Sequence, residues 1–140
     1  MGYSNKAHDG YLGDSEIGEW CNLGAGTSNS NLKNNASDVL IYSIRGEKSV
    51  NAGKKCGLIM GDFSRSAINT SFNTGTVVGV SCNVIGGKPE KFVPDFSWGN
   101  ERYDFEKALR DINNWKMLKG LEITDEEKIS LKTIYNKNEK

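Results

Sequence analysis

The sequence predicts a mainly β solenoid, a parallel β-helix built from hexapeptide repeats, with a loop excursion and a C-terminal cap of two helices. Three observations carry this. Large and small side chains recur every six positions through two stretches of the chain. Fourteen of the 16 glycines lie within residues 1–87. Residues 101–140 hold 18 of the 36 charged side chains, so the glycine-rich part and the charged part are different kinds of structure.

The repeat opens with Tyr11, Ile17 and Leu23, and four residues after each comes a small one, Ser15, Cys21 and Thr27. It restarts at Met60 and runs through Ser66, Phe72, Val78 and Val84, with Ser64, Thr70, Thr76 and Cys82 at the small positions. Ser66 stands where an aliphatic residue is expected. A period of six is neither helical (3.6) nor that of a plain strand (2). It suits a solenoid in which six residues make one short strand and one tight corner, and such hexapeptide repeats belong to parallel β-helices. Glycine follows Ile17, Leu23, Met60 and Val78, where tight corners favour it. Spacing alone leaves the hand of the winding open.

Residues 29–56 break the period. Ser28 to Asn35 is polar and Asn-rich, and Asp38 to Ile44 reads as a strand that ends at Arg45-Gly46. This is a loop thrown out of the solenoid with β structure of its own, and long excursions often carry function. The β-helix therefore occupies 1–87. Residues 88–100 hold Pro89 and Pro94 and read as an extended linker. Residues 101–140 form the cap. Phe105, Ala108, Leu109, Ile112 and Trp115 make one helical stripe, and Gly120 is its stop. Thr124-Asp125-Glu126-Glu127 is a capping box, and Ile129, Leu131, Ile134 and Tyr135 supply the apolar side of the second helix.

Composition narrows the function. Eighteen basic and 18 acidic residues cancel, which argues against a nucleic-acid binder working by bulk charge. It argues equally against a polybasic membrane anchor. No apolar run reaches the length of a membrane span, and residues 1–13 show no apolar leader core. Cys21, Cys56 and Cys82 form no CxxC pair, and with one histidine they make no metal set. They suit a reducing, cytoplasmic setting. Cys21 and Cys82 fall at small inward positions and read as packing residues.

The stretch His8-Asp9-Gly10-Tyr11-Leu12-Gly13-Asp14-Ser15-Glu16-Ile17-Gly18, followed by Asn22-Leu23-Gly24-Ala25-Gly26-Thr27 and Asn31, resembles a known enzyme family. It is similar to the acetyltransferase domain of the bifunctional N-acetylglucosamine-1-phosphate uridylyltransferase/glucosamine-1-phosphate acetyltransferase. Phe92 to Gly99 and the two helices look like a subgroup of two-domain sugar nucleotidyltransferases. The resemblance implies a left-handed parallel β-helix, a homotrimer with sites at subunit clefts, and acetyl-CoA as co-substrate. The acceptor it implies is the amine of a hexosamine 1-phosphate. It makes His8 the catalytic base, and Tyr11 and Asn22 sugar-binding residues. It puts acetyl-CoA contacts at Ala25, Asn31, Leu32 and Gly86. Leu32 replaces the family's usual tyrosine, and Ile68 stands where the family has a CoA-contacting serine. The family's nucleotidyltransferase half and its first coils, with their phosphate-binding Arg and Lys, would precede Met1. Lys6 and Lys33 are the nearby basic side chains here.

The chemistry agrees with these residue types. An amine attacking a thioester must lose a proton, and histidine is the side chain that titrates near neutrality. Backbone N–H groups at solenoid corners suit an oxyanion. A second function from another class fits the same fold: a non-catalytic trimerisation or regulatory module of a sugar nucleotidyltransferase. Leu32 and Ile68 favour it, whereas His8 and Tyr11 together favour the enzyme.

Overall fold

A computed structural model describes residues 2–43 and 47–137. In chain order the strands are β1 (Glu16–Ile17), β2 (Asn22–Leu23), β3 (Ser28–Asn29), β4 (Leu40–Ser43), β5 (Lys48–Asn51), β6 (Ile59–Met60), β7 (Arg65–Ser66), β8 (Ser71–Phe72), β9 (Val77–Val78), β10 (Asn83–Val84), β11 (Phe92–Val93), β12 (Ser97–Trp98) and β13 (Glu101–Arg102). Helices α1 (Phe105–Met117) and α2 (Asp125–Lys137) follow. The chain is thus mostly β with two helices.

The two-residue strands stack in three parallel columns. One runs β1-β6-β9-β11, the second β2-β7-β10-β12, and the third β3-β8. Ile59 lies beside Val77 and Arg65 beside Asn83, so past the excursion the chain returns to the first and second columns after 18 residues, as a period of six over three columns requires. This winding is compatible with a β-helix. Ile17, Leu23, Met60, Phe72, Val78 and Val84 point inward and form the core with Cys21, Leu58, Cys82 and Val93. The small positions from Cys21 onward are also buried, and the hydroxyls among them close the corners. Thr70 Oγ1 donates to Ala67 O (2.8 Å), Thr76 Oγ1 to Asn73 O (2.9 Å) and Ser64 Oγ to Gly79 O (2.7 Å). A small polar residue there satisfies a carbonyl that the corner would otherwise strand. Ser66 fits inside because its hydroxyl pairs with that of Thr27 at 2.9 Å.

Four sequence expectations change. Tyr11 is not an inward member of the repeat. It is 55% exposed, and Leu12 packs against the core in its place. Asn29 belongs to the coil rather than to the excursion, paired in parallel with Phe72. Residues 92–98 are a further rung, not a linker: Val93 lies beside Val78 and Trp98 beside Asn83. The hydrogen-bond direction explains why Pro94 is tolerated in it. Gly18 N–H donates to Met60 O, Gly61 N–H to Val78 O and Gly79 N–H to Val93 O, each at 2.8 Å. At this position each rung donates to the next, and Pro94 holds it in the last, where its missing N–H has no rung to reach. Lastly, Ile129 is 67% exposed, because α2 turns Leu131, Ile134 and Tyr135 toward the coil.

The excursion leaves after Ser30 and folds as a hairpin of β4 and β5, in the register Leu40 to Asn51. The expected strand runs into it, while Ile44, Arg45 and Gly46 lie outside the described residues. The hairpin lies down along the coil. Tyr42 packs on Phe92 with ring centroids 4.1 Å apart, and Lys91 Nζ donates to Leu40 O at 3.0 Å.

The opposite edge is covered by the helices. At one corner of successive rungs stand Trp20, Phe63, Ser81 and Phe96, all with left-handed φ of 55–61°. Such backbone costs a non-glycine residue roughly 1–2 kcal/mol. Burial offsets it, since Phe96 contacts Phe105 and Tyr135 and joins a cluster with Ala108, Ile112 and Leu131. Tyr3 stacks flat on Trp20 at 4.2 Å. The capping box forms as the sequence predicts: Glu127 N–H donates to Thr124 Oγ1 (3.1 Å) and Thr124 N–H to Glu127 Oε2 (2.8 Å).

Candidate active site

Residues before β1 lie on the first rung as a partial coil. Asn5 N–H donates to Cys21 O and Leu23 N–H to Asn5 O, both at 2.9 Å. Further on, Asn29 N–H donates to Tyr11 O at 3.0 Å and Tyr11 N–H to Ser28 Oγ at 3.2 Å. His8-Asp9-Gly10 is the corner between, and it rests on Thr27, whose carbonyl would collide with any Cβ at Gly10. Lys6 holds this corner, its ammonium donating to His8 O (3.2 Å) and Asp9 O (2.7 Å). The His8 side chain is exposed.

Below that corner the other residues follow along one edge. Ala25 O accepts from Asn69 N–H at 2.7 Å, which puts the Gly24–Gly26 corner over Ala67–Asn69. Ile68, 66% exposed, is the outer residue there. In the next rung, Gly87 O accepts from Ser71 N–H at 2.7 Å, and exposed Gly86 takes the corner with φ 99°. His8, Ala25, Ile68 and Gly86 thus mark one edge, between the second and third columns.

Tyr11, Asn31 and Leu32 lie at the other side of the third column. The Tyr11 ring folds over Gly13, where a Cβ would strike its hydroxyl. Asn31 Nδ2 donates to Tyr11 Oη at 3.1 Å and to Asp14 Oδ2 at 2.6 Å. Leu32 pairs with Lys55 at the foot of the excursion. Asn22 is apart from both groups, on the face of the second column, where its Oδ1 accepts from Asn5 Nδ2 at 3.1 Å. Lys6 and Lys33 both serve backbone carbonyls, Lys33 reaching Asp38 O at 2.7 Å. Cys21 and Cys82 are packing groups: burial raises the Cys21 thiol and pushes Cys82 up to about 11, and it also raises the half-buried Cys56.

Sequence reasoning missed Asn29. Its buried amide accepts from Gly13 N–H (2.9 Å) and donates to Gly13 O (2.9 Å) and Ser30 O (3.1 Å), pinning the segment that carries Tyr11. The period itself points to it, since 29 follows 11, 17 and 23. Asn29→Leu fills similar space but leaves both Gly13 groups unpaired. It is expected to destabilise that segment locally by about 1–3 kcal/mol, read as faster exchange of the Gly13 amide.

With this geometry in view, the chain is similar to part of a class of bifunctional sugar-phosphate transferases. It is 41% identical over 75 residues to the bifunctional protein GlmU of Methanocaldococcus jannaschii, a match spanning 54% of this chain and 18% of the relative. Identity to the bifunctional protein GlmU of Methanococcus maripaludis strain C5 is 40% over 79 residues, 56% of this chain and 18% of the relative. The bifunctional sugar-1-phosphate nucleotidylyltransferase/acetyltransferase of Sulfurisphaera tokodaii is 31% identical over 84 residues, 60% of this chain and 21% of the relative. The chain therefore spans about a fifth of the length of these curated relatives. Their names bear out the resemblance carried by residues 8–31. No family model matches the chain.

Proposed function

We propose that the chain is an acyl-transfer domain, a left-handed parallel β-helix that works as a cytoplasmic homotrimer. It moves the acetyl group of acetyl-CoA to the amine of a hexosamine 1-phosphate in nucleotide-sugar synthesis. The observation that supports this most is the edge on which the His8 corner stands directly over Ala25, with Gly86 further along. A base and a line of small-residue corners on one edge suit an extended thioester substrate beside its acceptor.

In this reading the amine attacks the thioester carbonyl, a C–N bond forms, and the C–S bond breaks as the tetrahedral intermediate collapses. His8, exposed at its corner, takes the amine proton, which passes to the departing thiolate. Corner N–H groups stabilise the oxyanion. Tyr11 and Asn22 bind the sugar, while Ala25, Asn31, Leu32 and Gly86 line the acyl donor. Tyr11 and Asn31 act as a unit through their hydrogen bond. Holding the two substrates together contributes the most, roughly 7–11 kcal/mol.

A second reading, a trimerisation or regulatory module without catalysis, is favoured by exposed Leu32 and Ile68, apolar at two acyl-donor positions. Thiol release from acetyl-CoA with glucosamine 1-phosphate separates the two. Turnover is expected, and His8→Ala is expected to lower it by about 10²–10⁴-fold, the range of a lost general base. A trimer by light scattering with no turnover from the native chain would decide for the second reading.

A further inference from the structure

Arg65 stands in the outward row of the second column, between Asn22 and Asn83, with the Trp115 ring of α1 packed against it. Its side chain is buried, the residue being 8% exposed, and its Nε and Nη2 have no hydrogen-bond partner among the described residues. A buried guanidinium with two unpaired nitrogens is a costly feature for a fold to retain. The carboxylate nearby is engaged elsewhere. Asp111 Oδ1 accepts from Nε and Nη2 of Arg110, each at 3.1 Å, and its Oδ2 accepts from the Tyr103 hydroxyl. Asn83 stands in the same wall as that hydroxyl. The Trp115 ring, 5.0 Å from the guanidinium carbon, offsets part of the desolvation but accepts neither N–H in the plane of the fork.

Three features define what belongs there. Nε and Nη2 form one edge of the guanidinium, the fork that matches the two oxygens of a carboxylate. Beside it is a pocket of about 220 Å³ whose walls include Trp98, Tyr103, Asn114 and Trp115. The charges of Arg65, Arg110 and Asp111 sum to +1, so a monoanion neutralises the group and a dianion overshoots.

We propose that this pocket binds a small monocarboxylate, gripped by Nε and Nη2 of Arg65 between the indoles of Trp98 and Trp115. Both nitrogens are closed to solvent, so entry requires a wall to move. Trp98 is that wall: it is 45% exposed and rests edge-on against Tyr103 at 4.9 Å. Binding therefore changes the surroundings of two tryptophans.

The test is titration of the chain with sodium acetate against sodium chloride at matched ionic strength, read by tryptophan fluorescence and by the thermal midpoint. A saturable acetate response and a raised midpoint are expected. Arg65→Met, which removes the unpartnered charge, should fold and lose both. Arg65→Lys, which keeps the charge without the fork, should bind at least tenfold more weakly, and it carries the test should the methionine variant not fold. Sodium phosphate at pH 8 should also bind at least tenfold more weakly than acetate. An acetate response no larger than that of chloride, an unchanged response in the folded Arg65 variants, or phosphate binding as tight as acetate would overturn the proposal.

Discussion

Gly61→Ala is expected to lower the thermal midpoint by about 10 °C, a loss of about 3 kcal/mol for a chain of this size. Gly18, Gly61 and Gly79 follow the inward residue of successive rungs in the first column, so each comes close to the backbone of the next. A Cβ at Gly61 would lie 2.8 Å from both Gly79 C and Gly79 O and 2.9 Å from Val80 N. These are backbone atoms, so relief requires the rungs to separate. Separation strains the bond from Gly61 N–H to Val78 O at 2.8 Å and the packing of Met60 on Val78 beneath it. Gly87 is the control: a Cβ there meets nothing within 4 Å, and Gly87→Ala should stay within about 0.5 kcal/mol of the native chain. Melting both variants by circular dichroism decides the matter, and equal midpoints would show that the rungs yield to a methyl group.

Glu127→Gln should cost about 3 kcal/mol, the scale of breaking a buried ion pair by removing one partner. The Lys116 ammonium is buried over the Trp20 ring at 5.2 Å, and it donates to Glu127 Oε1 and Oε2 at 2.6 and 2.7 Å. One carboxylate thus closes the cap of α2 and neutralises a cation of α1 against the coil. Lys116→Met together with Glu127→Gln removes the stranded charge and should recover most of the loss, giving a large coupling in a double-mutant cycle. The same pair sets a pH dependence. Burial pushes the Glu127 carboxyl up, but the Lys116 ammonium and the Thr124 N–H outweigh it and hold it below its ordinary 4.5. A depressed carboxyl stabilises fully above the unfolded value and progressively less as pH falls through the folded one. The native chain should therefore lose this increment on acidification from about pH 5, while Glu127→Gln lacks it throughout. Denaturation curves at pH 7 and pH 4 for the two proteins read the difference directly.

The coil was legible where one interior position in six is apolar and the next corner is small. Met60 to Val84 needed nothing more, and Ser66 deviated only because Thr27 supplies a hydroxyl from the neighbouring rung. Legibility failed where a rung breaks its own rule. Val93 comes 15 residues after its neighbour Val78, not 18, because no strand is laid in the third column on that pass, and its prolines read as a linker. Asn29 kept the period, but a polar interior residue hid it. In the candidate site, the corner of His8 over Ala25 departs from the period, because Asn5 pairs with Asn22 only 17 residues on, the same one-residue step that turns Leu12 inward in place of Tyr11. The bond from Asn31 to Tyr11 was hidden too, since it depends on the ring folding back over Gly13. The Arg65 pocket was beyond reach, because it exists only once α1 has docked on a face that the repeat treats as outward.

The aromatic corners have a consequence for the order in which the chain is made. Phe96 leaves the ribosome about 40 residues ahead of the end of α2. At a synthesis rate of about 5–20 residues per second, the interval lasts roughly 2–8 s. During it the nascent coil can pair its rungs while Trp20, Phe63 and Phe96 line a bare stripe. The edge that becomes the best covered in the finished molecule is, for those seconds, the one most in need of a chaperone.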